Sequence, residues 1–567
     1  MAAKIKKFLS KNTTLLVLSL VFIIGVVLRF YNLGSVPVGF HRDEAYLGYN
    51  AYSLFTTGRD MSGSMLPLHI KPFLYSPAGY AYLSIPFIYL LGLSEFSTRF
   101  ASALFGSLTV LLVYFLVKKL FEKSSFATQL GIISSLLLAI SPWHINLSRV
   151  ATESVPVVFF ITLGVIFYIS WVRRQVAWAL FLCFACFLLT LFIYQAPRSF
   201  LPLFAPLLFL LYLPRKSPKN YTMVGGLFFL TIVLPIFLVL LSPQLSQRIN
   251  MLSIFKSPQT QLVLDEQIRE DGVGKSPLFL TRVFHNKATN YSSTFLQNYF
   301  KHFSYDFLFT DAGLPDRYRI PQMGLLYIFE LPLLILGAWS LFGLNRRIAM
   351  LLFGWILLAP LGSALTFDDV PNLQRTLIMF PALSIVEAVG FLQVWGVAKK
   401  RKFSYPVKGS MILVMLYGLG YYLHQYYTHQ VHHRPWYRQE GYKNMITEVN
   451  QQIPNYKKIV ITSAESDPAI FFLFYNAYDP TLIQQFASDQ YSRVGFAEYT
   501  FSDYDCPLQE DSSTDPLTKI TETFIRGEKN VLYVNRGTCK ILSDKIETLS
   551  EIKRSDDTVV FKLQVLK

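Results

Sequence analysis

Charge is scarce in this sequence. Asp, Glu, Lys and Arg make up 16% of its 567 residues against 52% hydrophobic, and the mean hydropathy is +0.36. Soluble chains carry about a quarter of charged residues, so composition leaves the membrane class. Acids are the scarcer sign, 36 against 52 basic residues, for a formal charge of +16. A basic excess suits nucleic acid, anionic lipid or cytoplasmic loops of a polytopic protein. Here it falls in short clusters between apolar runs and not on one soluble face, which excludes nucleic acid. Cysteine is rare too, 4 in all. Cys183 and Cys186 lie inside an apolar run and read as small core residues. Cys506 and Cys539 lie in the polar C-terminal region, where a disulfide requires an extracytoplasmic setting. The chain has no nucleotide-binding glycine loop, no His/Cys pair at zinc-ligand spacing and no internal repeat. Its first apolar run, about 13 to 31, follows Lys4, Lys6, Lys7 and Lys11 but lacks a small-residue cleavage site, so it reads as a retained helix.

What is present is a series of spans. Apolar stretches recur at roughly 98–117, 126–141, 152–171, 176–194, 199–213, 221–242, 323–343, 348–366, 376–397 and 409–426, about eleven helices with the first. Alternate connections hold the basic residues: the N-terminus, Lys118/Lys119/Lys123, Arg173/Arg174, Arg215/Lys216/Lys219, Arg346/Arg347 and Lys399/Lys400/Arg401/Lys402. These are assigned to the cytoplasm. The segment Tyr80 to Leu93 is short and carries Pro86 and Gly92, and a crossing there would move Lys118 and all later clusters to the wrong side. It reads as a helix lying along the outer interface. The expected architecture is an all-α polytopic membrane domain, 1–427, with a first outer loop at 32–97 and a long one at 242–322. An extracytoplasmic α/β domain follows at 428–567. There the strand-like runs KIVITS, NVLYVNRG and TVVFKLQVL alternate with the helical patterns YKNMITEVNQQI and ILSDKIETLSEI.

Chemistry concentrates in the outer loops. GFHRDEAYLGYNAYSLFTTGRDMSGS places Asp43 and Glu44 a dozen residues past the first helix. Adjacent carboxylates at a membrane surface are costly unless used. Either could accept a proton from an acceptor hydroxyl as general base, or the pair could supply oxygen ligands to a divalent cation. Equally, they suit the N-terminus of a helix starting near Ala45. Asp60, in TGRDMSG, is a further acid for substrate, or a turn residue. Isolated arginines stand at outer helix ends: Arg99, Arg149, Arg198 and Arg375. Because external cations are disfavoured, each needs a reason, and an anionic ligand held by bidentate guanidinium bonds is one. Snorkelling to headgroups is another, and Glu153 is spaced to pair with Arg149. In the long outer loop Lys287, His285, His302 and Arg317 are expected near water, with Lys287 as a candidate substrate contact.

The stretches HRDEA, TGRD, GLSEFSTRFASALFG, SPWHINLSRVATES and YQAPRSFLPL closely resemble bacterial members of the GT-C superfamily. The nearest groups are the relatives of protein O-mannosyltransferases and the aminoarabinose transferases, the RgtA/B/C/D-like family. The likeness covers about 13–400 and is densest through the first 210 residues. It implies a membrane glycosyltransferase that takes sugar from a polyprenyl-phosphate donor and passes it to a protein, glycolipid or cell-envelope glycan outside the cytoplasm. The outer-loop acid of such enzymes corresponds to Asp43, with Glu44 beside it; Arg149, Arg198 and Arg375 would hold the phosphate. No nucleotide sugar is used directly. Inverting displacement requires the base and the phosphate on opposite faces of the sugar. The rival is a transporter or flippase of lipid-linked sugars, for which repeats, discontinuous helices and acids within the spans would be expected. A noncatalytic scaffold would leave the outer acids and arginines unexplained.

Overall fold

The computed structural model describes residues 2–71, 75–213, 218–272, 277–399, 404–486, 490–514, 521–540 and 543–567. The basic residues Arg215, Lys216 and Lys400 to Lys402 therefore lie outside the described residues. The chain divides into two units, one of residues 1–31, 74–80 and 102–425, the other of 32–73, 81–101 and 426–567. The sequence boundary near 427 has a counterpart here, but the first outer loop belongs with the C-terminal segment. That grouping joins parts of the chain almost 400 residues apart, which no local pattern announces.

The first unit is helical. Expected spans coincide with helices Ala2–Phe30, Ala127–Ile140, Ser154–Arg174, Ala177–Ile193, Pro197–Tyr212, Glu330–Leu344, Arg346–Leu358, Phe380–Lys399 and Ser404–His424, and with the run 218–241. Glu95–Leu120, whose first turns belong to the other unit, is another. Six described helices are long and apolar enough to cross a membrane. A seventh crossing is added if Ala127–Ile140 and Pro142–Ser148, bent by 58°, form one span. The bend follows from the sequence: Pro142 begins a new helix, and the Ser141 side chain accepts from the His144 amide, capping it. Helices Glu330–Leu344 and Phe380–Lys399 pack at a small-residue contact. A Cβ added to Gly337 would stand 1.9 Å from the Val386 carbonyl oxygen, and one on Gly390 2.0 Å from that of Leu333.

The second unit is α/β. Its five-stranded sheet has the order Tyr499–Ser502, Lys458–Thr462, Val531–Arg536, Val559–Leu566, Ile546–Lys553. Lys458–Thr462 runs parallel to both neighbours, and the last two pairings are antiparallel. Helix Tyr442–Gln452 forms where the amphipathic pattern predicts one, burying Tyr442, Met445, Ile446 and Val449. The second helical expectation is wrong: ILSDKIETLSEI contributes the edge strand Ile546–Lys553. Its apolar residues are spaced for a helix, but a bulged antiparallel ladder with Val559–Leu566 takes the segment, and tertiary pairing overrides the period. Cys506 and Cys539 are disulfide-bonded, whereas Cys183 and Cys186 are free and buried.

The acidic outer loop is built into this unit's core. Phe40, Ala45, Tyr49 and Met61 are buried in one cluster with Tyr442, Phe471, Phe474 and Phe561. Gly48 shows how tight the contact is. A Cβ there would fall 2.6 Å from both a Phe474 ring carbon and Thr98 Oγ1.

Candidate active site

Asp43 stands in the first turn of helix Arg42–Thr57, whose start is fixed by side chains. His41 is the N-cap; its Nδ1 accepts from the Asp43 amide at 3.2 Å, which places the ring proton on Nε2. The Glu44 carboxylate accepts in return from the His41 amide, completing a capping box. At the other end Gly58 adopts φ 69° and closes the helix with its amide on the Leu54 carbonyl. The two adjacent acids have different surroundings. Asp43 is a third exposed, with His41 Nδ1 at 3.5 Å and Arg42 Nε at 4.0 Å. Glu44 is buried and receives Arg99 in a forked pair, Nε to Oε1 at 2.9 Å and Nη2 to Oε2 at 3.0 Å.

Arg99 is wholly buried. Its remaining donors go to the carbonyls of Leu33, Pro37 and Gly39, at 3.2, 3.3 and 2.8 Å, and its guanidinium lies 5.4 Å from the Phe40 ring centre. All five N–H groups are thus used inside the protein, so the anion invoked for Arg99 is the Glu44 carboxylate. Asp60 is buried in the hairpin after the helix, with Oδ1 accepting from the amides of Ser62 and Ser64 at 2.9 Å each, a turn geometry. Burial raises its pKa, while the two amides and nearby Lys71 oppose the rise.

In the helical unit, Arg149 is buried and donates to the carbonyls of Leu28 (3.0 Å), Arg29 (3.2 Å) and Tyr31 (2.7 Å) at the end of the first helix. Arg29 returns the arrangement, donating to Leu138 and Ala139 at the end of helix Ala127–Ile140 and meeting His144 Nδ1 at 3.0 Å. Each arginine supplies donors to carbonyls that a helix end leaves unmet, at the end where positive charge is favoured. Arg29 was missed because it terminates an apolar run; a buried charge within a span was the available signal. Arg198 sends Nε and Nη2 to the Leu191 carbonyl at 3.2 and 3.0 Å.

Arg375 has more to spare. Its Nη1 donates to Thr366 Oγ1 at 2.6 Å and the Asp368 carbonyl at 3.1 Å; Nε and Nη2 make no hydrogen bond among the described residues. Lys287 is exposed at the first position of helix Lys287–Lys301. Contrary to the expectation of a water-side position, His302 is buried. It donates through Nδ1 to the Asn298 carbonyl at 2.8 Å, while Nε2 accepts from the Asn372 amide at 3.1 Å and lies 2.9 Å from Ser363 Oγ. This imidazole ties the long outer loop to the segment bearing Arg375.

Burial pulls the His302 pKa down to about 4. The unfolded chain takes up this proton near pH 6.5 and the folded chain only near 4. Stability is therefore full above 6.5 and falls as pH drops across that window, by about 3 kcal/mol in total. Melting in detergent from pH 7.5 to 4 should show this loss in the native protein and a smaller one in His302→Gln.

Among the described residues no group of three or more His, Cys, Asp or Glu could hold a metal ion. The Asp43/Glu44 pair fits a divalent cation poorly, since Glu44 is engaged by Arg99 and His41.

The fold recurs among solved structures. Over 96% of its length the chain shares the fold of ArnT from Cupriavidus metallidurans bound to undecaprenyl phosphate, covering 97% of that chain at TM-score 0.51 and 13% identity. It also shares the fold of the oligosaccharyltransferase AglB from Archaeoglobus fulgidus, solved with an inhibitory peptide and a dolichol-phosphate. There the TM-score is 0.50 at 14% identity, over 82% of this chain and 64% of that one. At these identities the likeness is one of fold. Residues 19–241 match the family model of dolichyl-phosphate-mannose-protein mannosyltransferases. An uncharacterized protein of Aquifex aeolicus (strain VF5) is 28% identical over 159 residues, which are 28% of this chain and 30% of that protein.

Proposed function

We propose that this protein moves a sugar from a polyprenyl-phosphate donor to a protein, glycolipid or cell-envelope acceptor on the outer face of the cytoplasmic membrane. The reaction is an inverting displacement. Asp43 takes the acceptor hydroxyl proton as the acceptor oxygen attacks the anomeric carbon; the bond to phosphate breaks, and the lipid phosphate leaves with the electron pair. The observation that carries this reading is the division of labour within the DE pair. Glu44 is buried and committed to Arg99, while Asp43, one residue away in the same helical turn, keeps its carboxylate a third exposed. The family match over 19–241 and the undecaprenyl phosphate in the ArnT structure support the donor class. The disulfide supports an extracytoplasmic C-terminal region; a cytoplasmic N-terminus is proposed from the lysines that precede the first helix's apolar run. Among the proposed phosphate ligands, Arg375 has the most unused donors; Arg149 and Arg198 would act alongside their structural bonds, and Lys287 and Asp60 are proposed substrate contacts. Guanidinium charge facing the leaving phosphate stabilises the transition state.

The test is to supply membranes containing the protein with a radiolabelled polyprenyl-phosphate sugar and look for label in a new product of inverted anomeric configuration. Absence of transfer would defeat the reading. Arg375→Ala should raise the donor KM about tenfold, the loss of one charge-assisted hydrogen bond, with a smaller effect on kcat.

One observation favours the transporter alternative. Glu330 and Glu387 are fully buried within apolar helices, and neither oxygen of Glu387 has a hydrogen-bond partner among the described residues. Label crossing sealed vesicles with no glycosylated product would select that alternative.

A further inference from the structure

Taking Asp43 as the base, we infer that Gln439, braced by its neighbour Arg438, is the positioning residue that sets the Asp43 carboxylate from the far end of the chain. The first turn of helix Arg42–Thr57 shows why. The Asp43 amide goes to His41 Nδ1, and the Glu44 and Ala45 amides go to the His41 carbonyl at 2.8 and 3.1 Å. These bonds are local. The Arg42 amide, the one directly before Asp43, donates to Gln439 Oε1 at 2.6 Å. The Gln439 amide nitrogen is fixed in turn, donating to Ser466 Oγ at 2.6 Å in the loop that follows strand Lys458–Thr462. The chain leading into the helix is held from the same place. Arg438, buried, donates through Nε to the Val38 carbonyl at 3.0 Å and through Nη2 to the Gln430 carbonyl. The approach is close, since a Cβ on Gly39, at φ 82°, would lie 2.5 Å from the Arg438 carbonyl oxygen.

The Gln439 backbone is an independent sign. It adopts φ 56°, ψ 40°, the left-handed region where glycine carries no steric cost and glutamine does. The turn alone would be better served by glycine. The side chain that makes glutamine useful here is the one bonded to Arg42. Sequence reading missed the residue because RPWYRQEGY shows neither a catalytic pattern nor a sign of its partner 397 positions away.

Two substitutions separate positioning from folding. In the full-length protein in membranes, Gln439→Gly relaxes the backbone and removes the amide. It should melt at or above the native temperature, lose at least tenfold in kcat, and keep the donor KM within about twofold. Gln439→Glu preserves an acceptor for the Arg42 amide, so its activity on the alkaline plateau should return to within about threefold of native. Its negative charge disfavours ionised Asp43, which should move the acid limb of the pH–rate profile upward by several tenths of a unit to about one. Native kcat in Gln439→Gly, alongside inactive Asp43→Asn, would overturn the positioning role while leaving Asp43 as base. A Gln439→Gly variant that melts lower, with no shift of the acid limb in Gln439→Glu, would assign Gln439 to the fold alone. Native turnover in Asp43→Asn would overturn both readings.

Discussion

Asp43→Asn is expected to lower kcat for sugar transfer by about 10²–10⁴-fold, the range that a positioned general base contributes. Asparagine has nearly the shape of aspartate, and the His41 cap and the Glu44 return bond are made to backbone amides that the substitution leaves in place. Folding should therefore be preserved and checked by monodisperse elution, and the donor KM should change little. Transfer persisting at the native rate would reduce Asp43 to a helix-terminal charge and move the search for a base to Asp60, whose Oδ2 is buried without a hydrogen-bond partner among the described residues.

Glu44→Ala is expected to act on stability, by about 3–5 kcal/mol, because it leaves the Arg99 guanidinium buried without its counter-charge. The variant should melt well below native in detergent and elute as aggregate. Removing Arg99 as well should restore only part of the loss, since the Leu33, Pro37 and Gly39 carbonyls would then lose their shared donor. Native melting in Glu44→Ala would show that the pair contributes nothing to the loop. An intact fold with abolished transfer would instead return Glu44 to the chemistry.

Much of the membrane domain was legible in the sequence because each span is a local property: an apolar run of sufficient length, ended by polar residues. The position of Asp43 on a helix start was legible for the same reason, since HRDEA carries its own capping box. The structural bonds of the arginines were not legible, because a buried arginine and a ligand-binding arginine look alike in one dimension. The carbonyls that Arg149 Nη1 meets belong to residues about 120 positions earlier. The edge strand Ile546–Lys553 escaped for a related reason. A short segment with ambiguous period is decided by its ladder partner, and spacing carries no record of that partner.

The common core of the acidic loop and the C-terminal segment has a consequence for synthesis. Arg42 and Gln439 are separated by 397 residues, which a ribosome adding about 5–20 residues per second covers in roughly 20–80 s. During that interval the acid exists without its setting, with Phe40, Ala45 and Tyr49 deprived of their partners. A chain interrupted near residue 430 would contain every proposed catalytic and phosphate-binding group but not Gln439, the partner of the Arg42 amide. If Asp43 is the base, its setting is complete only once Gln439 and the strands of the C-terminal segment have been made.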